Sequence, residues 1–299
     1  MQIGVVLPLG EVREQGRALH WPELRELAQQ AEAADFDALW LYDHLIYRYP
    51  DRDEAGTWEG WTMLTALAEA TKKPALGTIV LCTAFRPPAL LAKMAATLDE
   101  ISGGRLILGL GAGWHQPEFD AFGYPFDHKA GRFEEALQII APLLREGHVD
   151  FHGQYYSAPD CTILPRGPRA GGPSILVASH GPRMLQLTAQ WADQWNAAWF
   201  GQPTGFVQRR AQLEAACAAV GRDPKTLATT AGVNVAFPAL SQGDAPPSNP
   251  DKILTGSAEE IAAGFRAYAD LGVAHVICNL MPCNSAAIAR LADAVRLYR

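Results

Sequence analysis

The sequence lacks the features of several large classes of protein. Lys and Arg number 25 against 32 Asp and Glu, so the formal charge is −7 and no basic face for nucleic acid is predicted. No apolar run reaches the roughly 18 residues that span a bilayer, and the first residues lack the basic segment and cleavage site of a signal peptide. The five cysteines form no C-x-x-C pair, which fits neither a disulfide framework nor a zinc ribbon. We therefore expect a cytoplasmic protein with no membrane or nucleic-acid partner.

The motifs of three enzyme classes are also missing. The eight histidines form neither H-x-H after the first strand nor H-E-x-x-H, so no metal site is predicted. There is no G-x-S-x-G, the usual setting of a nucleophilic serine in hydrolases. The first predicted strand ends in Leu7-Pro8-Leu9-Gly10 instead of G-x-G-x-x-G, which argues against a dinucleotide-binding Rossmann domain.

Short apolar runs alternate with amphipathic segments along the whole chain, which is typical of a parallel sheet built from βα units. The predicted strands are Ile3 to Leu7, Ala38 to Leu41, Leu76 to Leu81, Leu106 to Leu110, Ser174 to Ala178, Gln194 to Ala197, Thr229 to Val235 and His275 to Leu280. The predicted helices are Pro22 to Ala34, Gly60 to Thr71, Pro88 to Ser102, Arg132 to Glu146, Pro182 to Ala192, Gly205 to Val220, Ala258 to Leu271 and Asn284 to Tyr298. Eight such units favour one α/β domain over residues 1–299, a (β/α)8 TIM barrel.

Three connections are longer than a simple loop and are predicted to be insertions after strands 2, 4 and 7. They run from Tyr42 to Glu59, from Gly147 to Pro173, and from Ala236 to Thr255. The second contains Val149 to Tyr156, where aromatic residues flank a glycine-containing turn and predict a small hairpin. In the third, the stretch from Asp244 to Pro250 is rich in Pro, Ser and Asp and is predicted to be mobile.

Barrel enzymes carry their sites at the carboxyl ends of the strands, so the residues that follow each strand are the candidates. Asp43-His44 follow strand 2. Imidazole titrates near neutrality, so His44 is a candidate acid or base, with Asp43 beside it to tune its charge. The alternative is a capping aspartate next to a surface histidine, and position alone does not decide between the two.

Two further strand ends are candidate ligand sites. The glycines of Gly109-Leu110-Gly111-Ala112-Gly113 let a flat ligand approach the backbone, or else permit unusual dihedral angles at a strand end. Trp114 follows and either walls a ligand or packs under a loop. The turn Ser179-His180-Gly181-Pro182-Arg183 offers a hydroxyl, a cation and the amide groups of a helix N-terminus, which suit a phosphate; the alternative is an ordinary helix start.

Four segments together resemble the bacterial luciferase-like family of flavin- and deazaflavin-dependent oxidoreductases and monooxygenases. They are Phe36-Asp37-Ala38-Leu39-Trp40-Leu41-Tyr42-Asp43-His44; Leu76-Gly77-Thr78-Ile79-Val80 with Arg86-Pro87-Pro88-Ala89; Leu98 to Arg105 with Gly109 to Trp114; and Gly181-Pro182-Arg183 with Ala192-Asp193-Gln194-Trp195-Asn196. Through these segments the chain is identified as a member of that family.

The resemblance implies a barrel that holds FMN or coenzyme F420 at its C-terminal mouth. It places the flat ring near Thr78, Ile79, Val80, Gly111 and Gly113, with a cis peptide bond expected between Ile79 and Val80. It places the phosphate on the turn formed by Ser179, His180, Gly181 and Arg183. His44 becomes the acid/base or substrate-orienting residue, with Asp43 beside it, and Trp114, His115 and Glu118 line the substrate side. Trp199, at the end of predicted strand 6, is a further predicted residue of the substrate pocket.

Two reactions follow from the resemblance. The favoured one is monooxygenation of a small organic substrate by reduced FMN and O2, with a separate flavin or F420 reductase as partner. The alternative is hydride transfer between F420 and a small substrate. A metal-dependent barrel hydrolase using His44, His115 and His180 and a non-catalytic flavin-binding protein are lesser alternatives. The apolar faces of the early helices are compatible with the homodimer usual in the family, and equally with a monomer.

Overall fold

The structure is a computed structural model that describes residues 1–12, 16–241, 249 and 251–299. Its strands are β1 Gln2–Val6, β2 Ala38–Leu41, β3 Ile46–Tyr49, β4 Arg52–Gly56, β5 Ala75–Thr78, β6 Leu81–Cys82, β7 Leu106–Gly111, β8 His148–His152, β9 Ser157–Thr162, β10 Ser174–Ala178, β11 Gln194–Phe200, β12 Ala228–Ala236, β13 Leu254–Thr255 and β14 His275–Met281. Its helices are α1 Trp21–Ala33, α2 Gly60–Ala70, α3 Pro88–Ser102, α4 Gln116–Phe122, α5 Lys129–Arg145, α6 Pro182–Trp191, α7 Thr204–Ala219, α8 Ala258–Asp270 and α9 Ser285–Tyr298.

Eight parallel strands close into a barrel in the order β1-β2-β5-β7-β10-β11-β12-β14, and β14 pairs back onto β1. The closing register sets Gln2 beside His275 and Val5 beside Cys278. The helices that follow the strands cover the outside, so the predicted TIM barrel is confirmed. None of the helices among the described residues combines the length and apolar character needed to cross a lipid bilayer.

One large side chain, that of Trp40, fills much of the barrel interior. Trp40 of β2 is fully buried and packs with Val6, Ile107 and Ile277 of three other strands. Gly77 on the neighbouring β5 makes room for it, because a Cβ atom there would lie 2.2 Å from the Trp40 ring. The lower part of the barrel is therefore packed, and open space is left at the carboxyl ends of the strands.

The structure departs from the predicted elements at the third barrel strand. The predicted strand Leu76 to Leu81 is divided into β5 and β6, and both pieces pair with β7. The peptide bond between Ile79 and Val80, at the division, is cis, as the resemblance implies. This division places the Ile79–Val80 segment at the mouth of the barrel.

The first two predicted insertions contain short antiparallel hairpins. The connection after β2 holds the β3–β4 hairpin, and the one after α5 holds the β8–β9 hairpin, which confirms the turn predicted at Val149 to Tyr156. The sequence did not predict α4, a short helix between β7 and α5. Most of the stretch from Asp244 to Pro250, predicted to be mobile, lies outside the described residues.

Candidate active site

A cavity of about 880 Å³ opens at the carboxyl ends of the barrel strands. The predicted site residues that line it are Asp43, His44, Ile79, Val80, Gly111, Gly113, Trp114, Glu118, Ser179, His180 and Trp199. Four predicted residues lie outside its lining: Thr78, His115, Gly181 and Arg183. The position of the cavity agrees with the expectation for an enzyme built on this barrel.

His44 is held by a carboxylate from a distant segment. Its Nδ1 lies 2.9 Å from Oε1 of Glu118, and Oε2 of Glu118 accepts the backbone N–H of Leu45 at 2.9 Å. Glu118 is only 2% exposed. An ionised carboxylate can only accept hydrogen bonds, so in the neutral ring this contact assigns the imidazole proton to Nδ1 and leaves Nε2 free to accept one.

Asp43 does not contact His44 in this way; it faces Arg86. The guanidinium donates to both Asp43 oxygens at 2.8 and 2.9 Å, and the N–H of Cys82 donates to Oδ2 at 2.9 Å. Arg86 also donates to Glu59, the N-cap residue of α2. Burial raises the pKa of Asp43 above its ordinary value, although the nearby Arg86 charge partly offsets this. Burial alone would lower the pKa of Arg86, but the charges of Asp43 and Glu59 outweigh it, so the pKa of Arg86 is raised. Asp43 therefore ties the ends of β2 and β6 to α2.

The glycines at the end of β7 leave room for the adjacent third barrel strand. A Cβ at Gly109 would lie 1.9 Å from the carbonyl oxygen of Thr78, and one at Gly111 would lie 2.6 Å from Val80 Cγ2. Gly113 has φ +77°, and a Cβ there would lie 2.6 Å from Cys82 Sγ. The run therefore fits the divided third strand against β7, while Gly111 and Gly113 also line the cavity.

His115 supports the β3–β4 hairpin through a hydrogen bond and a ring contact. It is 4% exposed, its Nε2 accepts the N–H of Arg48 at 3.2 Å, and its ring lies 4.9 Å from that of Tyr49. Burial lowers the pKa of His115, so the unprotonated ring persists as an acceptor at neutral pH. The structure thus places His115 behind the cavity wall that Trp114 forms.

The predicted phosphate turn is formed in part. Gly181, with φ +81°, is the N-cap residue of α6, and Ser179 Oγ lies 2.7 Å from Thr188 Oγ1. Arg183 instead pairs with Glu134 at 2.7 Å and borders a separate depression beside the β8–β9 hairpin. Thr78 is buried and donates its hydroxyl to the carbonyl oxygen of Gly109.

Two cationic residues at the cavity were not predicted from the sequence. Lys129 of α5 and Arg209 of α7 line it, and neither forms a salt bridge with a carboxylate of the described residues. Both lie on helices, whereas the site residues were predicted from positions that directly follow a strand. Among residues 1–12, 16–241, 249 and 251–299, no group of three or more His, Cys, Asp or Glu side chains is arranged to hold a metal ion.

Comparison with known proteins shows sequence similarity to one family. Residues 1–241 match the model of the family described as luciferase-like monooxygenase. Pyrimidine monooxygenase RutA of Stutzerimonas stutzeri is 32% identical over 238 residues, covering 74% of this chain and 65% of the relative. RutA of Caulobacter vibrioides strain NA1000 / CB15N is 31% identical over 237 residues, covering 75% and 66%. The chain thus spans slightly less than two thirds of the length of these relatives.

Solved structures share the fold over the whole chain. An F420-dependent secondary alcohol dehydrogenase in complex with an F420-acetone adduct superposes with a TM-score of 0.80 at 20% identity, covering 100% of this chain and 99% of the other. The coenzyme F420 dependent tetrahydromethanopterin reductase from Methanopyrus kandleri gives 0.80 at 18% identity, with the same coverage. Monooxygenase RslO1 from Streptomyces bottropensis gives 0.75 at 21% identity, covering 100% of both chains.

Proposed function

This chain belongs to the luciferase-like monooxygenase family, and we propose that it is a monooxygenase that uses reduced FMN and O2 to oxidise a small organic substrate. The observation that carries the proposal is the His44–Glu118 pair in the wall of the barrel-mouth cavity. A histidine with a fixed proton on Nδ1 presents Nε2 as a base next to any ligand in that cavity. The relatives at 31–32% identity, named as monooxygenases, favour oxygen chemistry.

The residues at the cavity fit FMN. Ser179 and His180, which line the cavity just before α6, would hold its phosphate, because the N-terminal end of a helix favours an anion. Arg209 and Lys129 add positive charge at the same cavity. Ile79 and Val80 provide an apolar surface for the flat ring. When bound in its reduced form, FMN supplies the electrons that activate O2.

The chain's own residues then have three tasks. His44 Nε2 exchanges a proton with the bound reactants, and Glu118 keeps the imidazole in the required tautomer. The β3–β4 hairpin, supported by His115 and Glu118, limits access of water to the cavity. The Asp43–Arg86 pair fixes the segment that follows Val80, which keeps the ring surface in place. We propose a separate reductase as the source of reduced FMN.

F420-dependent hydride transfer is a second candidate, favoured by one observation. Lys129 and Arg209 lack carboxylate partners among the described residues, and the acidic tail of F420 offers more negative charge than FMN does. The same pocket surfaces would then hold the deazaflavin ring.

An anaerobic titration of the chain with FMN, reduced FMN and F420, followed by fluorescence, tests the proposal. We expect reduced FMN to bind best and Arg209→Gln to weaken it about tenfold, because one charge-assisted contact contributes about 1.5 kcal/mol. Arg290→Gln, which changes an exposed arginine of α9 outside the cavity, is the matched control. Tight binding of F420 alone would support the second candidate instead, and binding of none would overturn both. Unchanged oxygen-dependent turnover in His44→Ala would indicate that His44 has no part in the reaction.

A further inference from the structure

One buried hydrogen-bond acceptor at the cavity, Oδ1 of Asn196, has no partner among the described residues. Asn196 belongs to β11, is 1% exposed and lines the cavity. Its neighbour Trp195 packs against Phe206 of α7, on the outside of the barrel. Because side chains alternate along a strand, Asn196 is turned toward the barrel interior. Buried polar groups are almost always paired in proteins, so a partner for this oxygen is expected from a ligand of the cavity.

The orientation of the Asn196 amide follows from its contact with Thr230. The Thr230 hydroxyl donates to the carbonyl oxygen of Trp195 at 3.1 Å, which uses its one proton. Toward Asn196 this hydroxyl can therefore only accept, and the amide nitrogen Nδ2 donates to it at 2.9 Å. Rotation of the amide by half a turn would set two acceptors against each other. Thr230 thus holds Nδ2 toward β12, and Oδ1 is the atom left for a donor from the cavity.

Asn196 lies next to the turn proposed for the phosphate. It pairs in register with Ala178 of β10, which also lines the cavity, and its carbonyl oxygen accepts the N–H of Ser179 at 3.4 Å. The apolar surface of Ile79 and Val80, proposed for the flat ring, is on the third barrel strand, and β7 and β10 lie between that strand and β11. Asn196 is therefore on the phosphate side of the cavity, beside the part of the cofactor that joins the phosphate to the ring.

The chemistry of Oδ1 narrows what can lie against it. An amide oxygen only accepts hydrogen bonds, so an ionised phosphate, which also only accepts, would be repelled. The register neighbours offer no free proton, because Ala178 has an apolar side chain and the Thr230 hydroxyl is already used. The donor must therefore belong to the ligand. In FMN a chain of CHOH groups follows the phosphate, and each of its hydroxyl groups can donate.

We propose that Asn196 is a cofactor-binding residue whose Oδ1 accepts a hydrogen bond from a hydroxyl of the polyol chain between the phosphate and the ring. The inference rests on the proposed function, because the place of the phosphate comes from there. It deepens that function by making cofactors with a polyol chain the class that this cavity selects. Thr230 is a positioning residue, because it acts through the amide of Asn196.

Two ligands that differ only in the polyol test the inference. One is reduced FMN, and the other is its reduced phosphopentyl analogue, which keeps the ring and the phosphate and has CH2 in place of every CHOH. Their affinities are measured by calorimetry without air. Asn196→Leu should weaken binding of reduced FMN about tenfold, because one hydrogen bond is lost, and leave binding of the analogue unchanged. Equal losses for both ligands, or no loss for either, would overturn the inference.

The stability of the ligand-free chain separates a binding role from a structural one. An unpaired buried acceptor destabilises the protein that carries it, so Asn196→Leu should unfold at the same urea concentration as the unmodified chain or at a higher one. A structural role would lower that concentration and weaken both ligands equally, which would overturn the inference. Asn279→Leu is the matched control, because Asn279 lies on barrel strand β14, donates to Asn234 and does not line the cavity. This control should leave the affinity for reduced FMN unchanged.

Thr230→Val is a second variant that tests the same contact without changing Asn196. It keeps the shape of the side chain and removes the hydroxyl that orients the amide. We expect binding of reduced FMN to weaken about threefold and binding of the analogue to stay the same, because the amide can then turn Nδ2 toward the cavity. Equal effects on the two ligands in this variant would also overturn the inference.

The two proposals fail in different ways. Tight binding of reduced FMN that does not depend on Asn196 would support the proposed function and overturn the inference alone. Binding of F420 in place of FMN, about tenfold weaker in Asn196→Leu, would support Asn196 as the acceptor for the polyol that F420 also carries, and would overturn the proposed function. If none of these ligands binds, both proposals are overturned.

Discussion

His44 and Glu118, 74 residues apart in the chain, are joined by a 2.9 Å hydrogen bond inside the wall of the cavity. The same carboxylate accepts the N–H of Leu45, so one side chain fixes both the ring and the backbone that carries it. Through this contact α4, which follows β7, positions a residue that follows β2. Glu118 is therefore a positioning residue in the proposed reaction, acting through His44.

Substitution of Glu118 separates these two tasks. In Glu118→Gln the amide oxygen can still accept from Leu45 while the amide N–H₂ faces Nδ1, which moves the imidazole proton to Nε2 and removes the base. We expect kcat to fall about 100-fold with little change in KM, as for loss of general acid–base catalysis. The pH profile of kcat should change in shape, because the group that exchanges the proton is no longer a base.

Glu118→Ala is the companion variant. It removes the support of Leu45 as well and should raise KM together with the fall in kcat, because the hairpin is no longer held. Full activity in Glu118→Gln, with an unchanged pH profile, would show that the tautomer of His44 is irrelevant to turnover.

The buried Asp43–Arg86 pair should matter for stability. Asp43→Ala leaves the Arg86 guanidinium with Glu59 alone and leaves the N–H of Cys82 without its acceptor. Breaking a buried pair in this way costs about 3–5 kcal/mol in free energy of unfolding. Urea denaturation measures the loss, with Asp293→Ala as control, since the Asp293–Arg296 pair is exposed and should contribute less than about 1 kcal/mol. Equal losses in the two variants would contradict the prediction.

His275 should make the protein sensitive to acid. It is 1% exposed, neither ring nitrogen has a hydrogen-bond partner among the described residues, and burial lowers its pKa to about 4. In the unfolded chain the histidine takes up a proton near pH 6.5, whereas in the folded protein it does so only near pH 4. The contribution of the neutral, buried His275 to the free energy of unfolding is therefore fully present above pH 6.5 and declines as the pH falls toward 4. This one group should account for a loss of about 3 kcal/mol over that interval.

Unfolding free energies of His275→Gln, measured at several pH values, check this assignment. The variant should show a shallower decline between pH 6.5 and 4, whereas His148→Gln, which changes an exposed histidine of β8, should keep the original slope. An identical slope in His275→Gln and the unmodified protein would contradict the assignment.

The β3–β4 hairpin should loosen when His115 loses its acceptor. His115→Phe keeps the ring beside Tyr49 but removes the nitrogen that accepts from Arg48. Hydrogen exchange of residues 46–56 should become faster, while exchange in β1 and β14 stays unchanged. His152→Phe, at an exposed position in the other hairpin, is the control. Unaltered exchange in His115→Phe would show that the hairpin is held by other contacts.

Much of the fold could be predicted because each βα unit carries its own signal. The apolar runs of β1, β2, β10 and β14 and the ends of the helices between them are local properties of the sequence. The division between β5 and β6 is not local, because it depends on the space that Gly109 and Gly111 leave on the adjacent strand. An uninterrupted apolar run therefore predicted one strand where the structure has two.

The site was predictable to the extent that it follows strand ends. His44, Ser179 and Trp114 were found in that way, and all three line the cavity. No role was predicted for Arg86, Lys129 or Arg209. Arg86 pairs with a carboxylate of another βα unit, and Lys129 and Arg209 line a cavity that several units form together, so the local sequence does not indicate their roles. The orienting carboxylate was sought at Asp43, the neighbour in sequence, and is supplied by Glu118 instead.

Closure of the barrel by β14 also has a consequence during synthesis. β14 pairs with β1 and with β12, so both of these strands keep an unpaired side until residues 275–281 have been made. A nascent chain that has not yet reached this strand exposes two apolar sheet edges, which are templates for pairing with other chains. The order of translation thus makes the last strand of the barrel the one on which protection from aggregation depends.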